Sequence, residues 1–321
     1  MTIFHATYPW AFQTPGGGEI QILKYQEYLR SIDYDFKLHD PWLPLLPKYC
    51  SALHFFSCMG GSEHLLRQVQ LLNIPIILST SLWITEETLN MYDTNLIDSI
   101  LSTADLYITN GTSEAENISR IFDKPMSRFC VVRNGFDDGF LQLYGQRHTP
   151  SSGANKIILC LANIEARKRQ YELVQAINYL EDVTLILAGN IRSNSYFDLI
   201  APFFGDKVKY LGPYKHMSDF HLSLLKMADL FVLPSTLETP GLAALEAAAC
   251  GIPVLVTSEG STQEYFNEFA QYVSPTSSPS ELSISIENAL STLVPVPKSH
   301  IERYKWSSCI SQLTKVYQMY S

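Results

Sequence analysis

Short apolar runs recur along the chain at 2–7, 36–39, 52–56, 74–78, 106–109 and 129–132, then at 157–161, 183–187, 208–211, 230–233, 254–256 and 272–274. Longer amphipathic stretches separate them, reading as helices at 19–30, 63–72, 86–103 and 112–122, then up to 180, at 194–204, 217–227 and 279–293, and in the tail after 303. Strands that alternate with helices predict parallel βαβ units and a doubly wound sheet. The pattern runs twice, so two similar α/β halves are expected. A polar stretch at 145–155, GQRHTPSSGAN, reads as the linker between them. The predicted domains are therefore 1–150 and 151–300, with a final helical segment over 301–321.

One stretch, 231–257, carries most of the candidate chemistry: FVLPSTLETPGLAALEAAACGIPVLVT. It reads as strand, loop, helix and strand. Thr239 suits a cap, Pro240 the first helical position and Gly251 a left-handed stop, which predicts a helix over roughly 240–250. Within it only Glu246 is neither small nor apolar, and Leu242, Ala243, Ala249 and Cys250 are its neighbours along the helix. A carboxylate on such a face needs hydrogen-bond donors. A lone helical Glu more often reaches solvent, but Glu238 stands eight residues earlier at the mouth of the helix. Between the two, the backbone N–H groups of Gly241 and Leu242 offer an anion seat. The order suits a sugar, a pyrophosphate and a ribose.

The segment PS-x2-E-x-PGL-x3-EA-x3-G-x-PV resembles the donor-binding signature of retaining glycosyltransferases of the GT-B fold, family 4. The resemblance implies an α/β chain of two Rossmann-like doubly wound domains facing a central cleft. The first would hold the acceptor and the second a nucleotide-sugar donor, and the last helix, with Trp306-Ser307, would cross back to the first domain. Glu238 and Lys168 would be the catalytic pair, with Glu238 on the sugar hydroxyls and Lys168 neutralising the diphosphate. Glu246 would take the ribose, Gly241 and Leu242 the phosphate, and Glu264 in SEGSTQEYF the donor sugar. Gly17 and Gly18 match the family's GGxE loop, and VVRNGFDD, with Asn134, Gly135 and Asp137, its NG-x-D loop. Gly212-Pro213-Tyr214 matches the nucleobase loop.

The chain departs from that pattern twice. Asn163 stands where relatives carry an Arg, leaving Arg167 or Arg169 to substitute, and Ser81 stands where many carry a His. The family activity is sugar transfer to the hydroxyl of a glycan or lipid-linked acceptor, with retained configuration, in polysaccharide or glycoconjugate assembly. It implies no metal and no cofactor, the nucleotide-sugar being a substrate. The two departures motivate an alternative, a weakened GT-B protein that binds nucleotide-sugars as a scaffold. A GT-B epimerase ranks lower, because its carboxylates would not keep the spacing from Glu238 to Glu246.

Composition narrows the field further. A chain of 321 residues can hold two cores, and its net charge of −9, with no run of Lys or Arg, argues against a nucleic-acid partner and a polybasic membrane patch. The six cysteines are scattered without CxxC spacing and read as free thiols. The opening MTIFHATYPW lacks a signal-peptide pattern, so a cytoplasmic protein is expected, peripheral to a membrane where the acceptor is lipid-linked. Asp33-Tyr34-Asp35 spells a metal-binding triplet but reads as a turn, and His54 among aromatics reads as a packed core residue.

Overall fold

The computed structural model describes residues 2–13, 16–40, 42–45, 47–58, 61–146, 155–292 and 294–320. They form two compact units, Met1–Asn134 with Trp306–Ser321, and Gly135–Lys305. Most of the expected linker, residues 147–154, lies outside the described residues. Residues 135–146, grouped with the first half in the sequence reading, pack with the second unit because Phe136 and Phe140 are fully buried in its core.

In the first unit the strands are β1 (Thr2–Thr7), β2 (Lys37–Leu38), β3 (Cys50–Phe56), β4 (Ile76–Ser79), β5 (Leu106–Thr109) and β6 (Phe129–Val131). They pair in parallel in the order β2-β1-β3-β4-β5-β6. β4 and β5 are buried along their whole length. Helices on both faces of a parallel sheet require such continuous burial, hence the unbroken apolar runs. The helix Trp306–Tyr317 belongs to this unit. Trp306 meets Tyr25 edge-on at 6.1 Å, and the Tyr317 hydroxyl lies 2.6 Å from His54 Nδ1 and 2.9 Å from His5 Nε2. His54 Nε2 continues the chain to Ser79 Oγ at 2.8 Å. His54 is thus a core residue, as its aromatic setting predicts.

The second unit contains β7 (Lys156–Leu161), β8 (Val183–Ala188), β9 (Val208–Tyr210), β10 (Leu230–Leu233), β11 (Val254–Thr257) and β12 (Gln271–Val273). Their order is β12-β11-β10-β7-β8-β9, all parallel. β7 lies between β8 and β10, so the winding reverses there. The crevice beyond the carboxyl ends of β7 and β10 is the topological switch point, where open α/β sheets take their ligands. Gly189 lets the chain after β8 pass the β7 loop, since a Cβ there would stand 1.9 Å from the Ala162 carbonyl oxygen.

Several helix ends differ from the sequence reading, each for a local reason. The helix expected over 86–103 is confined to Thr94–Leu101, because the Asp93 carboxylate accepts from the Leu96 N–H at 3.0 Å and fixes the start. The helix expected from 240 runs over Leu242–Ala249, capped by Gly241 at φ 86°. Thr239 and Pro240 therefore stay in the loop. Its other end is as expected: Gly251, at φ 78°, sends its N–H to the Ala248 carbonyl. Asp33 is left-handed at φ 57° in the turn after helix Gly17–Ser31, which agrees with the turn reading of the Asp triplet. All six cysteines are free.

Candidate functional site

Two loops meet at the switch point of the second unit. After β7, a 3₁₀ turn over Ala166–Lys168 presents Arg167 and Lys168. After β10, the loop to Gly241 presents Glu238. The Thr236 N–H donates to the Arg167 carbonyl at 2.8 Å, and Arg167 Nη1 donates to the Leu237 carbonyl at 2.9 Å. Thus tied, the loops place Lys168 Nζ in hydrogen-bonded ion-pair contact with Glu238 Oε1, and Arg167 Nη1 at 3.9 Å from the same oxygen. Lys168 and Glu238 are both nearly closed to solvent, at 12% and 6% side-chain exposure. Burial acts to raise the Glu238 carboxyl, but the charges of Lys168 and Arg167, with the hydrogen bond from Lys168, more than offset it and hold it below the ordinary value.

Backbone conformation gives Glu238 its shape. Its N–H donates to the Glu259 carbonyl and its own carbonyl accepts from Ser261. Gly260, at φ 102°, allows that approach, since a Cβ there would lie 2.0 Å from the Glu238 carbonyl oxygen. Gly241, at φ 86°, is constrained less tightly: a Cβ would stand 3.0 Å from Leu233 Cδ2 and 3.3 Å from Glu238 Oε2. The glycine brings the helix start hard against the carboxylate.

Glu246 lies on the inner side of helix Leu242–Ala249 and is 9% exposed. Two histidines from the segment after β9 face it, His216 Nδ1 at 3.6 Å from Oε1 and His221 Nε2 at 3.9 Å from Oε2. His216 Nε2 lies 2.5 Å from Asp137 Oδ2. His221 is fully buried, and burial first, then the neighbouring His216, lowers its pKa to about 4. The Tyr214 ring lies tilted against His221 at 4.5 Å, and burial, then the Glu246 charge, raises its phenol.

The remaining expected residues are divided between the two units. Asn163 is half-buried, and its carbonyl accepts from Gln170 Nε2 at 2.8 Å. Of its two suggested substitutes, Arg167 stands beside Glu238, whereas Arg169 is buried and donates to the Ser274 and Ser277 carbonyls. Glu264 lies half-buried on the short helix Thr262–Phe266. Gly17 and Gly18 belong to the first unit, where Gly17 opens helix Gly17–Ser31 and a Cβ on either would meet nothing within 4 Å. Glu19 closes that turn, accepting from the Gly16 N–H and from Tyr8 Oη, each at 2.6 Å. Ser81, left-handed at φ 44°, lies 3.4 Å from Gln21 Oε1 and 3.5 Å from Asn110 Nδ2. Behind it Glu114 accepts from the N–H groups of Leu82 and Asn110, both at 2.8 Å.

Sequence reasoning missed His216, His221, Gln21 and Glu114. His216 sits in a loop and His221 in the first turn of helix Asp219–Met227, and nothing in the sequence marks their approach to a helix 25–30 residues later. Glu114 had one available signal, an acidic residue in the first turn of helix Thr112–Ile121, close behind a strand end. Among the described residues no group of three or more His, Cys, Asp or Glu is arranged to hold a metal ion, and no helix is long and apolar enough to cross a membrane.

Comparison with known proteins gives this geometry a class. Residues 146–300 match the family model described as glycosyl transferases group 1. An uncharacterized glycosyltransferase of Methanocaldococcus jannaschii is 26% identical over 234 residues, 66% of this chain and 59% of that protein, so the chain spans less than two thirds of this relative's length. Sucrose-phosphate synthase from Thermosynechococcus elongatus superposes with a TM-score of 0.78 at 19% identity, over 99% of each chain. The Anabaena protein HepE, solved in complex with UDP, does so with a TM-score of 0.75 at 17% identity, over 99% of this chain and 100% of that one. The α/β fold is therefore that of the GT-B glycosyltransferases. Most of the second unit carries the group 1 match in sequence as well.

Proposed function

We propose that the protein is a retaining, metal-independent glycosyltransferase of family 4. It moves a sugar from a nucleoside-diphosphate sugar to the hydroxyl of a glycan or lipid-linked acceptor, in polysaccharide or glycoconjugate assembly. The observation that carries this reading is the buried Lys168–Glu238 pair, set against the left-handed Gly241 at the switch point of the group 1 unit. HepE, a fold neighbour, is solved with UDP and with UDP-glucose, which supports a nucleotide-sugar as the donor class.

Each residue has a physical task in this reaction. The bond from the anomeric carbon to the diphosphate oxygen breaks as the acceptor oxygen bonds to that carbon and its hydroxyl proton is released, leaving negative charge on the nucleoside diphosphate. Lys168 meets that charge from a fixed position, and Arg167 supplies the second cation that Asn163 cannot. Such preorganised charge supplies much of the rate in transfers of this kind. The N–H groups at the start of helix Leu242–Ala249 receive the phosphate. Glu238, kept ionised by its cations, accepts hydrogen bonds from sugar hydroxyls, and Glu246 accepts from the ribose. Glu264 contacts the donor sugar from its own loop. Gly17 and Gly18 offer backbone N–H groups, and the open space where a Cβ would stand suits a close-lying ligand.

The test is release of nucleoside diphosphate from UDP-, GDP- and ADP-sugars by the purified protein, with Lys168→Ala and Glu238→Gln alongside. Turnover of one donor class, lost in both variants while they still fold, supports the proposal. Binding without turnover, supplied with a range of glycan and lipid-linked acceptors, would move the assignment to a nucleotide-sugar-binding scaffold.

A further inference from the structure

Asp137, His216 and Glu246 come from three separate stretches of the second unit and meet through the His216 ring. His216 Nε2 is 2.5 Å from Asp137 Oδ2, and Nδ1, the other ring nitrogen, is 3.6 Å from Glu246 Oε1. Both carboxylates are largely buried, whereas the His216 side chain is 40% exposed. An ionised carboxylate only accepts, so Nε2 carries a hydrogen toward Asp137. In a neutral ring Nδ1 would then turn a lone pair toward Glu246. The imidazolium form instead puts an N–H toward each carboxylate. Toward the second oxygen of Glu246, His221 Nδ1 accepts the Met217 N–H at 3.2 Å, which leaves its hydrogen on Nε2, facing Glu246 Oε2. A ring nitrogen therefore faces each oxygen of Glu246. Of the two histidines, His216 is the one paired with a second carboxylate.

We infer that His216 is a positioning residue for nucleoside recognition. Anchored by Asp137, it fixes the Glu246 carboxylate in the orientation that accepts hydrogen bonds from ribose hydroxyls, and so sets how strongly the site prefers a ribonucleotide to its deoxy counterpart. The inference rests on the reading of Glu246 as the ribose acceptor. Because the contact is indirect, losing His216 should weaken hydroxyl recognition while leaving the phosphate contacts in place.

The experiment measures dissociation constants of UDP, GDP and ADP, and then, for the one bound best, of its 2′-deoxy and 3′-deoxy forms. Wild type should prefer the ribose form by about 10- to 100-fold, the range for a hydrogen bond to a charged group. Glu246→Gln should cut that ratio to about threefold or less. His216→Ala should lower it by about tenfold with the deoxy affinities unchanged, and His216→Gln, which keeps one donor, should recover part of it. Asp137→Asn should act like His216→Ala and serves as the second variant, with thermal melts confirming that each folds. If Glu246→Gln abolishes the preference but His216→Ala and Asp137→Asn keep it, the inference is overturned and the ribose reading stands. If Glu246→Gln keeps the preference, or no nucleoside diphosphate binds, the ribose reading falls and takes the inference with it.

Discussion

Lys168 and Glu238, 70 positions apart in the chain, form a buried ion pair at the carboxyl ends of β7 and β10. Neither residue can be removed without leaving the other's charge nearly closed to water. Lys168→Met should therefore destabilise the fold by about 3–5 kcal/mol in urea titration, the usual result of breaking a buried pair from one side. Replacing both residues, as Lys168→Met with Glu238→Leu, should cost clearly less than the sum of the single changes. An additive double variant would show that the two charges are not coupled.

The glycines of the two units should separate stability from activity. Gly241→Ala forces a side chain into a left-handed conformation and against Glu238 and Leu233, and should cost at least about 1–2 kcal/mol. Gly17→Ala and Gly18→Ala have open space around the new Cβ and lie in a helix, where Ala is favoured over Gly by up to about 1 kcal/mol. Their melting temperatures should hold or rise while donor turnover falls. Unchanged turnover would remove them from the site.

Stability should fall on mild acidification. Burial lowers the folded-state pKa of His5 to about 3 and of His221 to about 4, and pushes His54 well down too. Below the ordinary value of 6.5 the unfolded chain binds protons that the folded one excludes. The contribution is thus intact above about pH 6.5 and is lost toward pH 4, by up to about 1.4 kcal/mol per pH unit for each histidine. Glu238 has the opposite chemistry but the same sign: its depressed carboxyl adds a further loss only as pH falls below about 4.5 and through its lower folded value. Urea titrations at pH 7, 6 and 5 check this, and a flat profile would contradict it.

Tyr317 ties the last helix to β1 and β3 through one hydroxyl shared by His5 and His54. Tyr317→Phe leaves two buried ring nitrogens short of a partner and should cost about 2–3 kcal/mol. Retained stability in thermal and urea melts would mean that the aromatic packing alone holds the helix.

Much of this was legible in the chain because it is local. The parallel sheets follow from apolar runs at regular spacing, and Glu238, Glu246 and Lys168 stand out because their sequence neighbours define a strand end, a loop and a helix. Misread features were contests between local rules. Thr239 and Pro240 look like a cap and a first helical residue, yet the left-handed Gly241 moves the helix start past both. Arg169 looks as able as Arg167 to substitute for the missing Arg, but the carbonyls of residues 274 and 277 hold it in a structural role. What stayed invisible was long-range pairing between loops and termini. Asp137 meets His216 across 79 positions, and His5 meets Tyr317 across 312, with no periodicity to announce either.

The central claim is that the second unit holds a nucleotide-sugar on Lys168, Glu238 and Glu246. Thermal shift with a panel of UDP-, GDP- and ADP-sugars tests it most directly, with wild type and Glu246→Ala measured side by side. One nucleotide class should stabilise wild type by about 2.7 kcal/mol at a hundred times its dissociation constant, and the variant should lose that stabilisation. A folded wild-type protein that none of the three classes stabilises would contradict the account.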